Sequence, residues 1–191
     1  MRRVRWWNVM ALGLMVAACA GGMKTVPTTS AASDQAPAAV STSSGAGIRL
    51  GDLAQMDVFG QPLTRADTED ARATVVSFWA TWCKPCKAEM PLLSDLAQRL
   101  GPRGLAVFAV SVDDAANAAA VQEYAQTQRF AFRVLHDEDG SLARELNPRL
   151  DVPYTIVLDH AGHVAHVHRG FTTADLPRLE AEVVALLEGA P

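Results

Sequence analysis

Two cysteines held two residues apart, in Trp82-Cys83-Lys84-Pro85-Cys86, constrain this chain more than any other feature because of what flanks them. Before them, Thr74-Val-Val-Ser-Phe-Trp79 is a short apolar run that reads as a buried strand. After them, Lys87 to Leu100 reads as a helix with one apolar face. Cys83 therefore stands at a helix N-terminus, where unpaired backbone N–H groups and the helix dipole favour a thiolate by about 0.3–2 kcal/mol. The thiolate is the attacking species in disulfide exchange, so Cys83 is the expected nucleophile. Cys86 lies one turn later on the same side. It can attack a mixed disulfide formed at Cys83 and release the partner. Pro85 removes a donor that the first helical turn does not use.

Two other uses of the pair are weaker. A zinc site needs two further ligands, but the third cysteine is Cys19 and the five histidines all lie at or beyond position 136. A purely structural disulfide closing so short a loop gains little chain entropy.

The chain has 191 residues, 49% of them hydrophobic and 20% charged, which suits one domain with a proper core. Its net charge of −4 and the absence of a basic run beyond the first five residues argue against nucleic-acid binding. Arg2, Arg3 and Arg5 followed by the ten apolar residues Val9–Ala18 read as a signal peptide over 1–18, since a bilayer-spanning helix needs about 20 residues. Val16-Ala17-Ala18-Cys19 resembles the lipobox of bacterial lipoproteins, which implies lipidation at Cys19 and membrane attachment. Removing 1–18 takes three of the 17 basic residues and none of the 21 acidic ones, leaving a charge near −7. In Ala20–Ala46, 21 of 27 residues are Ala, Gly, Ser, Thr or Pro. Residues 19–46 are thus expected to form a disordered tether with a reach of about 28 Å.

From residue 47 onward the pattern is globular. Met56–Leu63 predicts a β-hairpin turning at Gly60-Gln61. The continuous apolar run Leu105–Val112 predicts a parallel strand covered on both faces. Asp113 and Asp114 are N-cap candidates for a helix over 116–128. A short strand over 132–135, a helical turn after Gly140, and a hairpin of 154–159 with 163–169 follow. Leu176, Leu179, Val183 and Leu187 give the last helix its apolar face, behind a capping box of Thr172 and Asp175. This order predicts an α/β domain over 47–191, a central mixed sheet flanked by helices with an N-terminal β-hairpin extension.

Phe78-Trp-Ala-Thr-Trp-Cys-Lys-Pro-Cys-Lys-Ala-Glu-Met-Pro91, Val152-Pro-Tyr-Thr-Ile156 and Phe59-Gly-Gln-Pro62 resemble three segments of the TlpA/ResA-like group. These are extracytoplasmic thiol-disulfide proteins on the thioredoxin-like fold. The resemblance implies a redox-active Cys83–Cys86 disulfide with no separate cofactor and a cis Pro153. It also implies that the backbone at Val152 pairs with an extended substrate. Trp82, Lys84 and Pro85 border the thiols and join Val152 and Pro153 as expected substrate contacts. Phe171 is added because a strand antiparallel to 154–159 must return to the cysteine end. Pro91, inside the helix, is expected to bend it. The group further implies protein dithiol or disulfide substrates, a membrane electron donor, periplasmic or other extracytoplasmic placement, and a reductase that serves cytochrome c maturation; a monomer is expected.

Glu89 lies one turn beyond Cys86. Ordinary thioredoxins bury an aspartate on the strand before the motif, where this chain has Ser77, which cannot take a proton at neutral pH. Glu89 can instead accept the proton of Cys86, with burial raising its pKa into the useful range; the alternative is a solvated helix residue. A copper-carrying lipoprotein is a rival reading, with His166 and His168 on one strand face and His163 on the other, although solvent-facing histidines are the simpler expectation. Oxidase and isomerase roles stay open, because nothing in Lys84-Pro85 fixes a reduction potential.

Overall fold

The computed structural model describes residues 47–189 apart from residue 54; the predicted signal segment, Cys19 and the tether lie outside them. The chain forms five strands: β1 (Ala73–Trp79), β2 (Leu105–Ser111), β3 (Arg133–His136), β4 (Tyr154–Asp159) and β5 (Val164–Arg169). The helices are α1 (Lys84–Leu100), α2 (Ala118–Gln128), α3 (Ser141–Leu146) and α4 (Leu176–Gly189). The sheet order is β3-β2-β1-β4-β5. β1, β2 and β3 run parallel, and β4 is antiparallel to both β1 and β5. This is the mixed, helix-flanked sheet expected from the sequence, and β1 is buried along its whole length.

Strand alternation sorts the core by face. Val75, Val107 and Val157 pack under Leu93, Leu96 and Leu100 of α1 and Leu179, Val183 and Leu187 of α4. Val76, Phe78, Phe108, Val110 and Ile156 point the other way, towards Leu142 and Leu146 of α3 and the N-terminal Leu50 and Leu63. The predicted hairpin at 56–63 is reduced to one bridge, Met56 to Pro62, beside a second from Asp57 to Leu135 of β3. The turn does fall at Gly60 (φ 78°), but Asp57 Oδ1 accepts both the Phe59 and Gln61 N–H groups, which closes the chain too tightly for a ladder. Arg133 of β3 then fastens this segment, donating to Asp57, Asp67 and the carbonyls of Gln61 and Pro62. Val58 N–H adds a bond to the Val134 carbonyl, so the outer edge of β3 is covered.

Candidate active site

β1 ends at Trp79, and the chain turns through Ala80, Thr81 and Trp82 into α1. Cys83 is the N-cap of that helix, which starts at Lys84, three residues before the sequence suggested. Cys83 and Cys86 form a disulfide with Cα atoms 5.3 Å apart. The Cys86 N–H donates to Cys83 Sγ at 3.2 Å, the helix-terminus contact that stabilises a thiolate there after reduction. The pair packs against Trp79, Ala80, Met90, Val121 and Ala125, with Val152 at its border. Cys83 keeps 4% of its surface and Cys86 none, so Cys83 is the sulfur a partner reaches first, although it is far less exposed than a nucleophile at a loop end suggested. Trp82, 69% exposed, stands directly beside it; Lys84 and Pro85 are exposed as well. The helix continues through Pro91.

A buried aspartate fixes the loop that carries the motif. Asp113 does not cap α2. Its carboxylate accepts from the Thr81 N–H and hydroxyl at 2.8 and 2.6 Å and from Ser111 Oγ at 2.8 Å, while its carbonyl meets His136 Nε2 at 2.8 Å. Asp114 serves the 3-10 turn of residues 115–117, which precedes α2. The Val152-Pro153 peptide bond is cis, as the resemblance implied. β5 returns to this end: the Gly170 N–H donates to the Pro153 carbonyl at 2.8 Å, and half-buried Phe171 follows.

Glu89 is not a solvated helix residue. It is 3% exposed, with Thr155 Oγ1 donating to Oε1 at 2.9 Å and Ser77 Oγ donating to Oε2 at 3.4 Å. Burial pushes its carboxyl up to about 7, against the two hydroxyls, which favour the ionised form; Asp175 adds a further upward push. Sequence reasoning missed Thr155 altogether and read Ser77 only as a residue that cannot titrate. The available signal was a pair of hydroxyl residues in inner strands, both on the face towards α1.

The histidines are not uniformly solvent-facing. His168 is nearly buried and its Nε2 lies 2.6 Å from Glu182 of α4, whereas His166 stands 3.6 Å from the same carboxylate and His163 is half exposed. Burial raises Glu182, but hydrogen bonds from Arg178 and His168 outweigh it and hold the carboxyl below its ordinary range. Among the described residues no group of three or more His, Cys, Asp or Glu is arranged to hold a metal, and no helix is long and apolar enough to cross a membrane.

The chain is similar to the thiol-disulfide oxidoreductase ResA of Oceanobacillus iheyensis, 32% identical over 111 residues, 58% of this chain and 55% of that one. It is similar to the DsbE homologue of Paracoccus denitrificans, a thiol:disulfide interchange protein, 32% identical over 125 residues, 58% of this chain and 62% of that one. The chain thus spans a little over half the length of the curated relatives it matches. Among solved structures, a thioredoxin-family thiol:disulfide interchange protein from Chlorobium tepidum superposes with a TM-score of 0.59 at 26% identity, covering 69% of this chain and 90% of that one. The pattern of the AhpC/TSA family runs through residues 47–167, well over half of the sequence and everything from β1 into β5, and the chain belongs to that family on a thioredoxin-like fold.

Proposed function

We propose that this protein is an extracytoplasmic thiol-disulfide oxidoreductase that reduces disulfides in other proteins. The observation that carries the reading is the Cys83–Cys86 pair at the start of α1, with a buried proton acceptor one turn away. In the reduced protein the Cys83 thiolate attacks one sulfur of a substrate disulfide, and that bond breaks as the mixed disulfide forms. The Cys86 thiol passes its proton to the Glu89 carboxylate, and the resulting thiolate attacks Cys83 Sγ. The Cys83–Cys86 disulfide closes, the second substrate sulfur leaves as thiolate, and two electrons have moved from the dithiol to the substrate. Trp82, Lys84, Pro85 and Phe171 border the path of the incoming chain, and the backbone of Val152 receives it beside Pro153. The names of the relatives, thiol-disulfide oxidoreductase and thiol:disulfide interchange protein, support this chemistry.

The signal segment, the lipobox-like Cys19 and the tether support a lipid-anchored, periplasmic protein that is recharged by a membrane electron donor and acts on apocytochrome c cysteines. The test uses reduced Cys86→Ser and Cys83→Ser variants mixed with a disulfide-bonded peptide and run on non-reducing gels. Cys86→Ser accumulates a mixed disulfide at Cys83, and Cys83→Ser accumulates none. The reverse pattern, or no adduct with either, overturns the reading.

A further inference from the structure

Three oxygen-bearing side chains from three elements meet in the interior between α1 and the sheet: Ser77 of β1, Thr155 of β4 and Glu89 of α1. Ser77 and Thr155 stand opposite each other in the β1–β4 ladder. Each of the three is at most 3% exposed. The contacts close into a triangle: Thr155 Oγ1 to Glu89 Oε1 at 2.9 Å, Thr155 Oγ1 to Ser77 Oγ at 3.0 Å, and Ser77 Oγ to Glu89 Oε2 at 3.4 Å.

Counting hydrogens decides which protonation state this triangle suits. Each hydroxyl carries one hydrogen and an ionised carboxylate none, so the ionised site has two hydrogens for three contacts. If both hydroxyls then donate to Glu89, the Thr155 and Ser77 oxygens face each other at 3.0 Å with nothing between them. A protonated Glu89 supplies the third hydrogen. Glu89 Oε1–H donates to Thr155, Thr155 donates to Ser77, Ser77 donates to Glu89 Oε2, and every contact is served once.

We propose that Ser77, Thr155 and Glu89 form a closed ring that binds one proton, and that the Thr155 hydroxyl is its rotor. The rotor points at Ser77 when the proton is present and swings to Glu89 Oε1 when it leaves. Thr155 and Ser77 are then positioning residues for the proton acceptor. The ring deepens the reading of Glu89 given above and rests on it for its place in the exchange reaction. A carboxyl poised at about 7 agrees with such a site. The charged group that acts on Glu89 from outside α1 is Asp175, in the turn before α4, which its own cap with Thr172 keeps ionised, with His168 and Arg178 beside it. On α1 itself Lys84 and Lys87 are exposed and Cys86 is the neighbouring thiol.

The test is a carbon-13 NMR titration of glutamate side-chain carboxyls in the oxidised full chain, with the Glu89 signal identified by its loss in Glu89→Gln. Thr155→Val keeps the shape and removes the rotor. Breaking the ring removes two contacts from the protonated form, Glu89 to Thr155 and Thr155 to Ser77, and one from the ionised form, so the midpoint falls by about 0.5–1 pH unit. Thr155→Ser restores the wild-type midpoint. Ser77→Ala lowers it too, because it also takes two contacts from the protonated form and one from the ionised form. An unchanged or raised midpoint in Thr155→Val, the mark of a hydroxyl that only donates to the carboxylate, overturns the ring, as does a Thr155→Ser shift as large as that of valine. If the valine variant does not fold, the Ser77→Ala fall becomes the deciding measurement and its absence overturns the ring. The titration needs no redox partner: a Glu89 that titrates through the ring while its removal leaves exchange rates untouched refutes its role in exchange and not the ring.

Discussion

The two halves of α1 are built for opposite purposes. The second half buries Leu93, Leu96 and Leu100 against α4 and the sheet, an aliphatic interior with Phe132 at its edge. The first half buries Cys86 and Glu89 and is braced by hydrogen bonds to polar groups of β1 and β4. Burying a carboxyl costs free energy unless it is protonated or paired, so the first half is held in a costly arrangement by the second. One helix thus carries both the reacting groups and the packing that keeps them in place, and the sheet face beneath it changes from Val75 to Ser77 within one side-chain repeat.

Three variants sharpen that contrast. Leu96→Ala leaves a cavity in the aliphatic half and should lower unfolding stability by about 2–5 kcal/mol in denaturant titrations. The midpoint of Glu89 should stay where it is; a shifted midpoint would mean the halves are not separable. Glu89→Gln acts in the other direction. A carboxyl raised from 4.5 to about 7 in the folded state contributes stability that is fully present below pH 4.5 and lost as pH rises through 7. The glutamine variant should therefore be flat across that window and more stable than wild type at pH 8 by about 3 kcal/mol. Parallel stability curves for the two proteins would refute the buried titration. The same variant should lose the pH dependence of peptide disulfide exchange near 7. The smallest effect belongs to Arg99, which bonds Asp95 at 2.7 Å and Glu180 at 2.6 Å on the rim of the aliphatic half, with its side chain 43% exposed. Arg99→Ala should cost below about 1 kcal/mol, and less at high salt.

The aliphatic half was legible from periodicity, since Leu93, Leu96 and Leu100 and the run Leu105–Val112 need no partner to be recognised as core. So was the dithiol, whose spacing is local. What escaped were pairings across long stretches of chain. Asp113 and Asp114 are indistinguishable by position, and only the arrival of Thr81 from 32 residues away turns the first inward. Glu89 was singled out from its place one turn past Cys86, and it is buried, but Thr155 became its partner only once the strand register was set. For His168 the strand face was foreseeable and the Glu182 that covers it was not. At Met56–Leu63 the alternation suggested a ladder; the Asp57 side chain takes the N–H groups a ladder needs, and Pro62 has none to give.

If the protein reduces partly folded chains, as proposed above, the covered edge of β3 has a consequence for how they bind. Molecules with free cysteines arrive with unpaired strands that will join any open sheet border and stay there. Here the Asp57–Val58 stretch occupies that border, pinned by Val134, Leu135 and, from α2, the Gln122 side chain on the Val58 carbonyl. At the opposite border β5 carries His166, His168 and Arg169. Under the function proposed above, a client chain meets no open strand at β3 and is left the backbone stretch at Val152, where its stay ends when the disulfide closes.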